Sequence, residues 1–145
     1  MKIDLSYFNK MLSVFLEAET AHITLYDFDS AGVNYINEKG DLEEKFLYHF
    51  QLLVENELIG RRDLQLADLS GMGIRFGLGG SCTLSIIPIR LTQKGHDFAC
   101  SLNNKEVLEK LKNELNDAPF KVLFEGGQKL LQHIAKKKLD ALIEE

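Results

Sequence analysis

The chain has 145 residues, 45% of them hydrophobic and 27% charged, enough for one domain with a sizeable core and at most one appended helical segment. No apolar run approaches the roughly 18 residues of a membrane span, and Lys2, Asp4 and Lys10 interrupt the amino terminus, so neither a span nor a secretory signal is expected and the chain reads as cytoplasmic. The net charge of −5 is unevenly spread: residues 1–60 carry four basic against eleven acidic side chains, which is not the broad basic surface that neutralises nucleic-acid phosphates.

Leu5, Phe8, Met11, Leu12, Phe15 and Leu16 fall at helical spacing and predict a first helix over Leu5 to Glu17. His22 to Phe28 alternates, with Ile23 and Leu25 on one side and Thr24, Tyr26 and Phe28 on the other, and predicts a short strand. The stretch from Asp29 to Gly40 is rich in turn formers and reads as loop. Asp41, followed three residues on by Glu44, has the form of a capping box, opening a helix whose apolar face is Leu42, Phe46, Phe50, Leu53, Val54 and Leu58. Leu58, Ile59 and Gly60 close it.

Gly73 to Phe76, the turn Gly77 to Gly80 and a longer strand Cys82 to Leu91 predict a hairpin, with Pro88 placing the second strand at an edge. Thr92 caps a short helix, Gln93 to Leu102. A further helix spans Lys105 to Leu115, and a last one runs from about Pro119 to Ile143. Gly126 and Gly127 inside it mark either a bend or a close helix contact. The order helix, strand, helix, glycine-turned hairpin is that of a winged helix. The expected fold is therefore α+β, a winged-helix-like domain at residues 1–102 with a two-stranded wing, and a helical extension at residues 103–145 packed on it.

The block Arg90, Leu91, Thr92, Gly95, His96 and Phe98, then Val107 and Lys110, then Pro119, Phe120, Val122 and Leu123, with the helix ending Leu52 to Ile59 upstream, resembles the bacterial and phage domain-of-unknown-function family 2513. The resemblance covers roughly residues 41–140. It implies a winged-helix-like fold. That family has no assigned activity, so the resemblance carries no function over.

In a regulator of this fold the helix Leu42 to Leu58 would enter a major groove and the wing would lie along the backbone. Its outward face is expected to hold Glu44, Lys45, Tyr48, Gln51, Leu52 and Glu55. Lys45, Tyr48 and Gln51, with a local basic patch of Arg61, Arg62 and Arg75, are the candidate contacts to double-stranded DNA. The two carboxylates on that face oppose phosphate. Two readings follow: a DNA-binding transcriptional regulator of phage or mobile-element type, or an adaptor or inhibitor that binds protein and not DNA.

Other motifs read as structure. Gly77 to Ser81 lacks the Lys-Ser or Lys-Thr and the following helix of a phosphate loop. His22, His49, His96 and His133 lack paired-ligand spacing, and Cys82 and Cys100 read as reduced packing residues, so neither metal nor cofactor is expected. His96 has no evident orienting partner for base catalysis, and no enzymatic constellation emerges. Lys136, Lys137 and Lys138 form a basic run between Leu130, Leu131 and Ile134 on one side and Leu139, Leu142 and Ile143 on the other. That is more apolar surface than a helix with one neighbour needs, and a homodimer through this helix is expected.

Overall fold

A computed structural model describes residues 1–144. It is mixed α and β, with six helices among the described residues: α1 (Leu5–Glu17), α2 (Leu25–Ser30), α3 (Glu44–Glu55), α4 (Gln93–Asn103), α5 (Lys105–Glu114) and α6 (Phe120–Ile143). Four short strands, β1 (Ile59–Arg61), β2 (Ile74–Phe76), β3 (Cys82–Leu84) and β4 (Ile89–Leu91), form two antiparallel pairs.

The β1–β4 pair lies between α3 and α4 in sequence, in register Ile59 with Leu91 and Arg61 with Ile89. Ile23 adds to the other side of β4, exchanging both backbone hydrogen bonds with Ile89 at 2.8 Å. Ile89 thus stands between residues from two distant segments. The β2–β3 pair, Ile74 with Leu84 and Phe76 with Cys82, is a separate hairpin reaching out from this sheet. Gly79 and Gly80 turn its tip at φ 73° and 83°, values that L side chains rarely adopt.

Several elements differ from the sequence expectation. In place of a strand over His22 to Phe28, only Ile23 pairs, and Leu25–Ser30 is helical. Seven alternating residues also contain the helical pair Leu25 and Phe28, both buried, and the Asp27 carboxylate accepts the Thr24 backbone N–H at 2.8 Å to start the turn. Asp41 does not cap α3. Its backbone N–H donates to Asn37 at 3.0 Å in a turn closed by the pairing of Ile36 with Leu42, so the helix begins at Glu44 without a side-chain cap. Ile59 and Gly60 are strand, not helix end. The run Cys82 to Leu91 is divided before Pro88, which has no N–H to offer a ladder, and its two halves pair with different partners.

One core unites the helices. Phe8, Phe28, Phe46, Phe50 and Phe98 are fully buried, with Phe28 edge-on to Phe46 at 5.3 Å and Phe8 edge-on to Phe98 at 5.5 Å between ring centroids. Val107 of α5 and Leu123 of α6 belong to the same core. Gly126 and Gly127 resolve as a close contact within one continuous helix: a Cβ at Gly127 would stand 2.9 Å from the Ser101 hydroxyl of α4.

The turn into α4 is seated on the end of α3. Thr92 Oγ1 accepts from Gly95 N–H at 3.0 Å and donates to the Glu57 carbonyl at 2.6 Å, while the Thr92 N–H donates to the Leu58 carbonyl at 3.0 Å. A Cβ at Gly95 would overlap that same Leu58 carbonyl. Gly95→Ala should therefore destabilise the chain by about 3 kcal/mol, read as a lower urea midpoint with an unchanged slope. Glu57 holds φ 56° at the end of α3, where Leu58 N–H closes on the Leu53 carbonyl at 2.9 Å. Glycine adopts that conformation without side-chain strain, so Glu57→Gly should raise stability by about 1 kcal/mol in the same titration. An unchanged or lower midpoint would show that the left-handed turn is not strained.

Candidate functional site

The fate of the α3 surface is decided at its inner edge. His49 lies on the apolar stripe of α3 with Phe46 and Phe50 and is fully buried. Its Nδ1 is 2.8 Å from the Lys45 carbonyl, and its Nε2 accepts the Asp4 backbone N–H at 3.0 Å. A carbonyl only accepts and an amide N–H only donates, so the ring is neutral with its proton on Nδ1. Burial pushes the imidazole below its ordinary pKa, against the upward pull of the Lys45 carbonyl and the Asp4 charge. Asp4 caps α1 by accepting from Tyr7 N–H at 3.0 Å and receives Lys45 Nζ at 2.8 Å, a bond that holds its carboxyl below the usual range. Lys45 Nζ also lies 4.9 Å from the centre of the Tyr7 ring.

The candidate DNA contacts are consequently dispersed. Lys45 is turned toward Asp4 and half-buried, not projected outward. Tyr48 and Leu52 are partly covered, lining a recess with Met1, Ile3, Pro119 and Phe120. Of the expected outward face, Glu44, Gln51 and Glu55 are exposed. Arg61 at the end of β1 is half-buried and Arg62 exposed; Arg75 in β2 is exposed, with its Nε donating to the Ser70 hydroxyl at 3.2 Å. No hydrogen bond or ion pair among the described residues links any two of these six positions.

A groove that the sequence did not signal lies between the start of α3 and the β2–β3 hairpin. It measures about 540 Å³, with Ile36, Leu47, Phe76 and Leu84 as apolar lining and Asp41 and Glu44 as its carboxylates. Neither carboxylate is in an ion pair among the described residues. Phe76 is 50% exposed, and Leu78 at the hairpin tip is wholly exposed. These residues come from segments some thirty positions apart, which is why no local pattern reveals them. His49, by contrast, was detectable as a polar residue on an apolar helical stripe.

His22, His96 and Arg90 share a smaller pocket of about 200 Å³. His96 is exposed there and does not cap its helix, a role Thr92 fills; its Nδ1 is 3.6 Å from Cys100 Sγ. Burial and Asp97 push the Cys100 thiol up, the opposite of an activated thiolate. The described residues hold no group of three or more His, Cys, Asp or Glu arranged for a metal, and no helix among them is long and apolar enough to cross a membrane. No protein-family model, curated protein or solved structure matches this chain.

The pair of hydrogen bonds at His49 has a pH signature. A histidine whose pKa is lower folded than unfolded binds more protons when unfolded, so its contribution is present above the unfolded value of about 6.5 and is lost as pH falls toward the folded one. The urea midpoint should fall between about pH 7.5 and about pH 5.5, and His49→Gln should be less stable at the upper pH with a flatter dependence. Equal slopes in the two proteins would mean that the imidazole is not held neutral.

Proposed function

We propose that this chain is a winged-helix-like protein-interaction module that pairs with a second copy of itself through α6, and that DNA is not its partner. The winged-helix reading is supported by connectivity: Ile23, α2, α3, β1, the hairpin and β4 follow in order, with Ile23 and β1 on opposite sides of β4. The Arg90 to Phe98 block that resembles family 2513 forms β4 and the start of α4, the corner on which this arrangement turns. On this reading residues 1–102 are the winged unit and residues 103–145 the extension packed on it, the last residue lying outside the described ones.

The observation that carries the reading against DNA is the exposed face of α3. A helix entering the major groove between two phosphate strands needs donors or cations on that face. Here the exposed residues are Glu44, Gln51 and Glu55: Gln51 is the one donor among them, the two carboxylates oppose the phosphates on either side, and the one lysine of the helix is paired with Asp4.

Pairing through α6 is favoured by its second half. Only Leu123 and Gly127 of this helix are buried, and every residue from 135 to 143 is exposed, a length of about 13 Å with Leu139, Leu142 and Ile143 unpartnered.

Fluorescence anisotropy with a mixed-sequence duplex at low salt should show no binding at micromolar protein. Salt-sensitive binding that Arg62→Ala and Arg75→Ala abolish would overturn the reading in favour of a regulator. Light scattering at micromolar concentration should give twice the mass of one chain, falling to one chain in the variant Leu139→Ser, Leu142→Ser, Ile143→Ser. A wild-type protein with the mass of one chain would remove the self-pairing part.

A further inference from the structure

We infer that the groove between α3 and the β2–β3 hairpin is the seat for the exposed end of α6 from a second copy of this chain. The inference rests on the self-pairing reading above and adds which surface the helix meets.

Two unpartnered surfaces of the same molecule are complementary in both shape-determining chemistry and charge. On α6, Leu139, Leu142 and Ile143 are 55%, 65% and 73% exposed and lie at i, i+3 and i+4 on one face. A turn of about 100° per residue places Lys136 on one flank of that face and Lys138 on the other, with Lys137 pointing away. The groove has the matching layout. Ile36, Leu47, Phe76 and Leu84 present apolar surface, and Asp41 and Glu44 supply carboxylates with no cation of their own.

Each surface is costly to leave in water. Phe76 and Ile36 are 50% and 39% exposed, and Leu78 at the tip beside them is fully so; Phe76 shares a hairpin face with Ile74, which is buried at the inner end of that face while Phe76 is left uncovered at the outer one. A helix with three apolar side chains flanked by lysines covers the former and gives the carboxylates partners whose pairing is strengthened by partial desolvation. A single helix end buries little area. A twofold axis duplicates the contact, each copy lending its α6 to the groove of the other, and brings the total toward the roughly 1,200 Å² of stable interfaces.

The test is a charge exchange read by light scattering. One variant carries Asp41→Lys and Glu44→Lys, the other Lys136→Glu and Lys138→Glu. Each alone should have the mass of one chain, because its like charges face each other. Mixed one to one, they should regain the dimer mass, since each groove then meets a tail of opposite charge. Lys137→Glu and Glu55→Lys, outside the contact, should stay dimeric. Recovery on mixing also shows that both variants are folded.

The groove assignment is overturned if the groove variant alone remains dimeric, or if mixing restores nothing. A tail variant that dissociates while the groove variant does not would leave α6 pairing intact and relocate its partner surface. A wild-type chain that is monomeric would remove both inferences together.

Discussion

A neutral imidazole at the centre of the amino-terminal half ties this structure together. His49 joins the first residue of the α1 cap to the backbone of α3 through two hydrogen bonds of opposite sense, one donated and one accepted. It can do so only uncharged. The same contact brings Asp4 to Lys45, and so one buried ring fixes the approach of two helices and also pairs the one cation of α3 with a carboxylate. The stability of the fold and the character of its surface therefore have a common origin. A helix that would be a plausible groove reader in isolation is, in its packed setting, an acidic one.

The division of the β structure has a similar economy. Pro88 separates the run that begins at Cys82 into two strands, and this frees β4 to pair with β1 and Ile23 while β3 stays with β2. Had the run continued unbroken, the hairpin would be an extension of the sheet. As it is, the hairpin stands off from the sheet with Phe76 and Leu78 outside the core, and the space between it and α3 becomes the groove.

The helices were legible where apolar spacing ran for three or more turns: α1, α5 and α6 lie close to their expected limits, and α4 begins after Thr92, whose side chain could be recognised as a cap. The hairpin was legible from its glycine turn, although not the end of its second strand; the other small elements were not. Seven residues around Ile23 satisfy both a two-residue and a helical period, and the outcome depends on Asp27 reaching back to Thr24 and on Ile89 arriving from far along the chain. β1 follows directly on a helical stripe and has no strand signal of its own; its partner defines it. The surface was less legible still. Of the six candidate contacts, Lys45, Tyr48 and Gln51 lie on α3, Arg61 and Arg62 at the end of β1 and Arg75 in the hairpin, and whether Lys45 is available depends on Asp4, which precedes α1 and α2 in sequence. The groove unites two segments that share no pattern.

The central place of Ile89 also governs how such a chain can fold. Ile23 and Arg61 both wait for a residue that is synthesised after them, and the corner at Gly95 that locks the end of α3 comes later still. Local helix formation in α1 and α3 can precede these events, but the sheet that orders them cannot. On the ribosome, the acidic amino-terminal half must emerge unfinished, with its aromatic core side chains uncovered, until β4 and α4 follow. The carboxylates that make this half of the chain acidic would, at that stage, keep a partly folded chain soluble by mutual repulsion.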